Sequence, residues 1–136
     1  MIRRANENDI DRILKIYEHI HDAEEAGEAV IGWDRNVYPT YQTVLEGLAK
    51  KDLFVEENEN TIVAAGRINQ EQVKEYADCP WSYQASDHEV MVLHTLVVDP
   101  QIKWKGYGLN LSNMGLRTYV WYVWRKRFST IVYSCS

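Results

Sequence analysis

The sequence predicts a mixed α/β domain (α+β class) in which helices flank a mostly antiparallel sheet. Three features support this fold class: amphipathic helical spacing in the first fifty residues, a strand pair with a polar turn near residues 53–68, and a nearly unbroken apolar run over 90–98. Such a run is typical of a central strand that is covered on both faces. The regular strand–helix–strand alternation of a doubly wound fold is missing from the pattern.

The first elements are a short strand and an amphipathic helix. Ile2 to Arg4 can form the strand, and residues 6–9 supply N-cap side chains and acidic charge for the helix that follows. Apolar residues then recur at spacings of three and four positions, which predicts a helix with one apolar face that ends near His21. These residues are Ile10, Ile13, Leu14, Tyr17 and Ile20.

A loop over residues 27–39 separates this helix from the next elements. Thr40 can cap a second helix that ends near Lys51. Residues 53–55 and 62–68, joined by a polar turn, predict a β-hairpin. After the long strand, residues 109–128 have one apolar helical face, and 130–135 can form a fifth strand.

Composition limits the class of protein. A chain of 136 residues has room for one domain, residues 1–136, and its net charge of −5 argues against nucleic acid as the main partner. Its apolar stretches are far shorter than the ~20 residues that cross a bilayer, so no membrane association is expected, and the first residues lack the apolar core of a signal peptide. Cys79 and Cys135 have no CxxC spacing, which favours a reducing, cytoplasmic compartment.

The segment over residues 93–108 carries the strongest chemical signal. The long strand stops at Asp99-Pro100, because proline has no N–H to continue the ladder. A loop with two lysines and two glycines follows, and then a helix-compatible stretch begins. The N–H groups of such a turn and of a helix start form a cradle for an anion, and glycine allows close approach of the backbone. This arrangement predicts a site for a phosphate-bearing cofactor.

The same segment resembles the motif of the GNAT superfamily of acyl-CoA N-acyltransferases. That motif reads Leu-x-Val-x-Pro, then a basic residue or Gln, two spacers, Gly, a spacer, and Gly or Ala; residues 96–100 and 103–108 align with it without gaps. The N-terminal Ile-Arg-Arg-Ala and the hairpin end at 63–67 are also similar, so the resemblance covers residues 1–108. It implies a GNAT-like fold, acetyl-CoA (CoA) as cofactor, and transfer of an acetyl group to a primary amine of a small molecule or peptide.

The resemblance also implies which residues hold the cofactor. The backbone of the long strand would pair with the pantetheine arm, a strand N–H would polarise the thioester carbonyl, and the loop amides would hold the pyrophosphate. The residues so implied are Leu96, Val97, Val98, Lys103, Trp104, Lys105, Gly106, Tyr107 and Gly108.

Two departures from the family pattern stand out. Trp104 occupies a position where the family most often has glycine, and Lys103 replaces the usual Gln or Arg. Family members also continue with a fourth helix and a closing hairpin after the fifth strand. We therefore expect a shortened GNAT-like domain with the last helix and hairpin missing. The aromatic stretch over 119–124 is then either core packing or a surface covered in a homodimer.

Two residues are candidates for the base that aminolysis of a thioester requires. Glu89 lies at the start of the long strand, near where many family members place a base, and His94 lies in mid-strand. Alternation predicts that His94 is on the same side as Val92 and Leu96. The alternatives are a solvated strand-end charge for Glu89 and a buried histidine bonded to backbone for His94.

The remaining signals concern metals, the acceptor and a second function. His19 and His21 are expected on the surface, and because residues two apart point to different helix faces, no metal site is predicted. The alternative to an enzyme is a non-catalytic acyl-CoA-binding or dimeric interaction module. Aromatic residues that would border the acceptor, or else pack in a core or lid, are Trp33, Tyr38, Tyr76, Trp81 and Tyr83.

Overall fold

The computed structural model describes residues 1–29, 31–71, 74, 92–102 and 110. The elements that the sequence predicts over 109–128 and 130–135 lie outside the described residues, apart from Asn110. The elements in chain order are β1 (Ile2–Arg4), a 3-10 turn (Glu7–Asp9), α1 (Ile10–Glu25), α2 (Tyr41–Lys50), β2 (Leu53–Asn58), β3 (Thr61–Asn69) and β4 (Val92–Val98).

The four strands form one antiparallel sheet in the order β1-β2-β3-β4. This confirms the predicted mixed α/β class with a mostly antiparallel sheet flanked by helices. No helix in the described ranges is long and apolar enough to cross a membrane.

Helix α1 begins at a set of polar contacts that the sequence supplies within one turn. The backbone N–H of Asn8 donates to the side chain of Asn6 at 2.9 Å, and the Asn6 N–H donates to Asp9 Oδ2 at 2.8 Å. Arg3 on β1 donates to both oxygens of Asp9, at 2.7 and 2.9 Å. The strand before the helix is thereby tied to the helix start, where free N–H groups favour a carboxylate.

Helix α2 approaches the sheet closely at Gly47. A Cβ at this position would lie 2.8 Å from Leu53 Cβ on β2, closer than packed carbon atoms allow. The helix therefore packs its backbone against the sheet at this point. It ends at Lys50 and is capped by Lys51, which adopts the left-handed conformation (φ 56°) that closes many helices.

The sheet has two apolar faces. One packs against α1 through a cluster that includes Ile13, Ile16, Val55, Ala65 and Val97. We call this the helix face. The opposite face carries a second cluster, which contains Ile2, Phe54, Val63, Ala64, Leu96, Val98 and Ile102. Strand β4 contributes to both clusters, as its apolar run predicts.

Candidate functional site

Strand β4 contains a β-bulge in its middle. Ala65 pairs with Val97, but Arg67 pairs with His94, so the single residue between them on β3 faces two residues on β4. Those two residues are Thr95 and Leu96. Thr95 has φ of 52°, a left-handed conformation that is rare for a β-branched residue.

The bulge reverses the side-chain alternation of the strand. Cross-strand partners point to the same face, so His94 shares the helix face with Arg67, and Val97 shares it with Ala65. Leu96 packs on the opposite face. The prediction that His94 and Leu96 lie on one side is therefore wrong, because the extra residue shifts the period of two by one position.

The second edge of β4 is unpaired in the part of the chain that the structure describes. The strand bonds to β3 along one edge only, and β4 is the last strand of the sheet order. Its other edge presents backbone N–H and C=O groups, which an extended ligand containing amides can bind as an added strand does. The predicted pantetheine-binding residues Leu96, Val97 and Val98 lie on this edge.

Tyr38 in the α1–α2 loop reaches the bulge. Its hydroxyl forms a hydrogen bond with Thr95 Oγ1. The ring packs edge-to-face against Trp33, with centroids 5.4 Å apart and an interplanar angle of 87°. Burial raises the pKa of Tyr38, so its phenol stays protonated at neutral pH. Two of the loop aromatics that the sequence placed near the acceptor side are thus in contact, and Tyr38 lies beside β4.

Tyr17 on α1 is a second buried tyrosine in this region. It is 3% exposed, and among the described residues its hydroxyl has no hydrogen-bond partner. Burial raises its pKa above the ordinary value, and the hydroxyl is close enough to Tyr38 and Arg67 for both to affect that pKa. The helix face of the bulge is therefore lined by phenol hydroxyls and one guanidinium group.

Arg67 is neutralised by a buried carboxylate. Its Nε and Nη2 atoms donate to the two oxygens of Asp52 at 2.8 and 2.9 Å, a bidentate pair. Burial acts to raise the pKa of Asp52, but hydrogen bonds from Arg67 and Asn69 outweigh it and hold that pKa below the usual range. Because both partners are committed to each other, Arg67 is a poor site for an anionic substrate.

His94 is held at the end of a hydrogen-bonded chain. Its Nε2 lies 2.9 Å from Asn69 Oδ1 and 3.1 Å from the carbonyl oxygen of Glu71. Burial lowers the pKa of His94, so the ring is neutral at pH 7. The alternative that the sequence left open, a histidine bonded to backbone, is met at Nε2 by its contact with the Glu71 carbonyl oxygen.

Asp99, at the end of β4, is the centre of a buried polar cluster. Its carboxylate accepts from Arg12 Nη2 at 2.6 Å, contacts His19 Nδ1 at 3.0 Å, and accepts from the Gln101 N–H at 3.0 Å. The residue is 1% exposed. These contacts hold the first residues of the predicted cofactor loop against α1.

The prediction that His19 and His21 are surface residues is wrong. His19 contacts Asp99, and His21 is only 4% exposed. Helix α1 runs to Glu25 and lies against the sheet, so both positions are covered. Across the described ranges no group of three His, Cys, Asp or Glu side chains could hold a metal ion. The expectation of no metal site stays a prediction.

Several predicted site residues lie outside the described residues. They are Glu89, Lys103, Trp104, Lys105, Gly106, Tyr107 and Gly108. The predicted site residues that the structure describes all lie on β4: His94, Leu96, Val97 and Val98. His94 precedes the bulge, and Leu96 is one of its two residues. Their roles remain predictions.

The arrangement of strands and helices is that of the GNAT superfamily, so the resemblance seen in the sequence motif is confirmed at the level of the fold. A protein from Staphylococcus aureus Mu50 that is described as an acetyltransferase has a similar structure, with 25% identity and a TM-score of 0.64. The match covers 84% of this chain and 68% of that one. A GNAT-family acetyltransferase from Streptococcus agalactiae 2603 is 16% identical with a TM-score of 0.69, and the match covers 86% and 70% of the two chains.

A third similar structure is named for a different reaction. The GNAT-like decarboxylase GphF, in complex with isobutyryl-CoA, is 17% identical with a TM-score of 0.60, and the match covers 88% of this chain and 62% of that one. No protein-family model matches the sequence, and a search of curated proteins gives no match. The similarity to GNAT proteins is therefore one of fold.

The sequence did not reveal that Asp52 and Asn69 belong to one hydrogen-bonded network with Arg67 and His94 beside the bulge. Asp52 and Asn69 flank strands of the predicted hairpin, and strand ends commonly carry such residues for turns alone. The signal that could have found them is the pairing register, since the hairpin register places Leu53 opposite Arg67 and so brings Asp52 close to Asn69.

Proposed function

We propose that this chain is an acyltransferase that takes an acyl group from acyl-CoA, acetyl-CoA first among them, and transfers it to a primary amine of a small molecule or peptide. The observation that carries the proposal is the bulge of β4. It lies on a strand edge that is unpaired among the described residues, beside a neutral histidine, and it precedes the Asp-Pro and glycine-rich loop of the GNAT motif.

The described residues fit the cofactor that the fold implies. CoA carries two amides in its pantetheine arm. The edge of Leu96, Val97 and Val98 that no described strand covers offers backbone groups to pair with them. The loop over 103–108 would hold the pyrophosphate through backbone N–H groups and two lysines. When bound, acyl-CoA supplies the acyl group as an activated thioester.

The chain's own residues support amine transfer around this edge. The helix face of the bulge holds neutral His94, the phenols of Tyr17 and Tyr38, and an Arg67 already paired with Asp52. A neutral histidine can accept a proton, and phenols can donate hydrogen bonds. The absence of an unpaired cation among these described groups favours an amine over an anionic acceptor.

The proposal is tested first by thermal unfolding with and without acetyl-CoA. A ligand at 100 times its dissociation constant adds about 2.7 kcal/mol, which raises the Tm of a domain this size by several degrees. Gly106→Asp places a carboxylate in the predicted pyrophosphate loop and should abolish the shift, whereas Asn36→Asp on the exposed α1–α2 loop should preserve it.

Turnover is then measured as free thiol released from acetyl-, propionyl- and isobutyryl-CoA in the presence of amines and N-terminal peptides. Release that depends on both the donor and an amine supports the transferase. Stabilisation by CoA with no release from any donor and amine overturns it in favour of an acyl-CoA-binding module. If millimolar CoA does not stabilise the protein, both the transferase and the acyl-CoA-binding module are contradicted.

A further inference from the structure

Asn69 is oriented by the groups on either side of it. Its Nδ2 donates to Asp52 Oδ2 at 2.7 Å, and a carboxylate oxygen only accepts. Its Oδ1 accepts from the backbone N–H of Glu71 at 2.9 Å. Both contacts require the same orientation of the amide. The Asp52 carboxylate is itself fixed by the bidentate contact with Arg67.

This orientation determines which nitrogen of neutral His94 carries the proton. The Nε2 atom faces two acceptors, Asn69 Oδ1 at 2.9 Å and the Glu71 carbonyl at 3.1 Å. Neither can donate, so Nε2 must be the N–H. In a neutral imidazole the other nitrogen, Nδ1, is then an unprotonated acceptor.

The Nδ1 atom is bonded to the ring carbon that carries the side chain, so it lies closer to the backbone of β4 than Nε2 does, at the residue that precedes the bulge. Within the described part of the chain, Nδ1 makes no hydrogen bond to an acceptor, so no described group stabilises a proton on Nδ1. We propose that Asp52 and Asn69 are positioning residues, which hold His94 as the Nε2–H tautomer so that Nδ1 takes the proton from the acceptor amine. This inference depends on the proposed transfer reaction and adds to it the identity of the basic atom.

The proton and electron balance is simple. The acceptor nitrogen forms a bond to the acyl carbon as the carbon–sulfur bond breaks, and the sulfur leaves with the electron pair of that bond. The nitrogen loses one proton to Nδ1, and His94 returns it through solvent to the departing thiolate. His94 starts neutral and ends neutral, so it can act in every cycle.

Charged groups around the ring set the pH range in which this works. Arg67 lies opposite on β3, Asp52 lies just before β2, and Glu71 follows β3. Lys50 on α2 donates to both oxygens of Glu71 at 2.9 Å, and Glu46 lies 3.8 Å from Arg67. These charges largely pair among themselves, and burial lowers the pKa of His94, so the ring is neutral at pH 7 and able to accept a proton.

The first experiment reads the tautomer directly, without cofactor or acceptor. Long-range ¹H–¹⁵N NMR of ¹⁵N-histidine-labelled full-length protein at pH 8 distinguishes a protonated nitrogen from an unprotonated one, and His94→Gln assigns the signals. We expect a protonated Nε2 and an unprotonated Nδ1 at His94. A protonated Nδ1 would overturn the inference.

The second experiment removes the positioning residue. Asn69→Leu keeps the side-chain size but loses the contacts to Asp52, Glu71 and His94. Asn36→Leu, at an exposed position in the α1–α2 loop, is the control. We expect Asn69→Leu to give a mixture of tautomers and at least a tenfold loss in the rate of CoA release, with an unchanged Tm shift on acetyl-CoA. The control should retain the single tautomer and the rate.

The outcomes separate this inference from the proposed function. If Asn69→Leu folds and loses the tautomer preference but still releases CoA at the wild-type rate, the positioning role is overturned and the proposed transfer is not. Wild-type protein that shows the Nε2–H tautomer but releases no CoA with any amine overturns the proposed transfer. If Asn69→Leu does not fold, Asn69→Ala is measured in the same way.

Discussion

Arg12 on α1 and Asp99 at the end of β4 form a 2.6 Å ion pair between positions 87 residues apart in the sequence. Arg12 also donates to the carbonyl oxygen of Ile62 on β3 at 2.9 Å. One guanidinium group therefore joins the first helix to two strands of the sheet. His19, two turns further along α1, completes the contact with the same carboxylate.

We predict that Asp99→Asn lowers the free energy of unfolding by about 2 kcal/mol at pH 7. The substitution keeps the size and one acceptor oxygen, but it removes the charge that Arg12 faces, and hydrogen bonds to charged groups contribute about 1.5–3 kcal/mol each. Urea unfolding of both proteins measures the difference. Asp11→Asn, at an exposed position in the first turn of α1, is the control and should change stability by no more than a few tenths of a kcal/mol.

The same pair predicts a pH dependence with a definite sign. Burial acts to raise the pKa of Asp99, but hydrogen bonds from the Gln101 N–H, His19 and Arg12 outweigh it and lower the pKa below its ordinary value. A lowered carboxyl pKa stabilises the fold at pH values above the unfolded pKa, and this stabilisation is lost as the pH falls through the folded pKa. The difference between wild type and Asp99→Asn should therefore be full above about pH 5 and shrink below about pH 4. A difference that stays constant down to pH 2 would contradict this assignment.

Gly47→Ala should destabilise the protein although it replaces glycine in a helix. On propensity alone the change would stabilise α2 by about 1 kcal/mol. The added Cβ, however, would lie 2.8 Å from Leu53 Cβ, and relieving such an overlap costs about 1–3 kcal/mol. We expect a net loss of about 1 kcal/mol by urea unfolding. A gain would mean that α2 moves away from the sheet at little cost.

A matched variant separates packing from helix propensity. Gln42→Ala lies on the exposed side of the same helix, where it loses only a long, exposed contact of 3.4 Å with Glu46, and it should leave stability unchanged or slightly higher. The double variant Gly47→Ala with Leu53→Ala does not remove the clash, because alanine retains a Cβ. The loss at Gly47 should therefore persist in that background.

The fold followed from the sequence where local patterns decide structure. Three-and-four spacing predicted α1, and capping residues before apolar positions predicted the starts of both helices. The polar turn between two apolar runs predicted the β2–β3 hairpin, which the structure pairs as expected. Helix α1 extends four residues beyond His21 because its last turn is stabilised by contacts outside its apolar stripe, such as the Arg35 bonds to Asp22 and Glu25.

The site was less predictable because its geometry depends on non-local pairing. The bulge is one extra residue on β4, and no residue type in Leu93-His94-Thr95-Leu96 marks it. Without it, alternation places His94 and Leu96 on the same face, although they lie on opposite faces. The sequence marks Asp99 only as the residue before a strand-ending proline. Its ion pair with Arg12 is not predictable locally, since the two residues are 87 positions apart.

Thr95→Gly should be tolerated far better than glycine elsewhere in β4. A β-branched residue at φ 52° bears a left-handed backbone cost of about 1–2 kcal/mol, which glycine removes. The lost contacts of this buried side chain offset that gain, so we expect a net change within about 1 kcal/mol. Val97→Gly, at a buried position with ordinary strand geometry, should lose about 3 kcal/mol by the same urea measurement. Equal losses at the two positions would show that the bulge conformation carries no strain.

The contact between Tyr38 and Thr95 should appear as an energetic coupling between the α1–α2 loop and the bulge. Tyr38→Phe removes the hydroxyl that bonds Thr95 Oγ1, and Thr95→Val removes its partner while keeping the branched shape at the same backbone conformation. A neutral hydrogen bond contributes about 1 kcal/mol, so the double variant should be about 1 kcal/mol more stable than the sum of the single losses implies. Tyr41→Phe, at an exposed position at the start of α2, is the matched control and should show no coupling to Thr95→Val. Coupling energies near zero for both tyrosines would mean that the hydroxyl of Tyr38 exchanges Thr95 for water in solution, and the loop would then be free to move independently of β4.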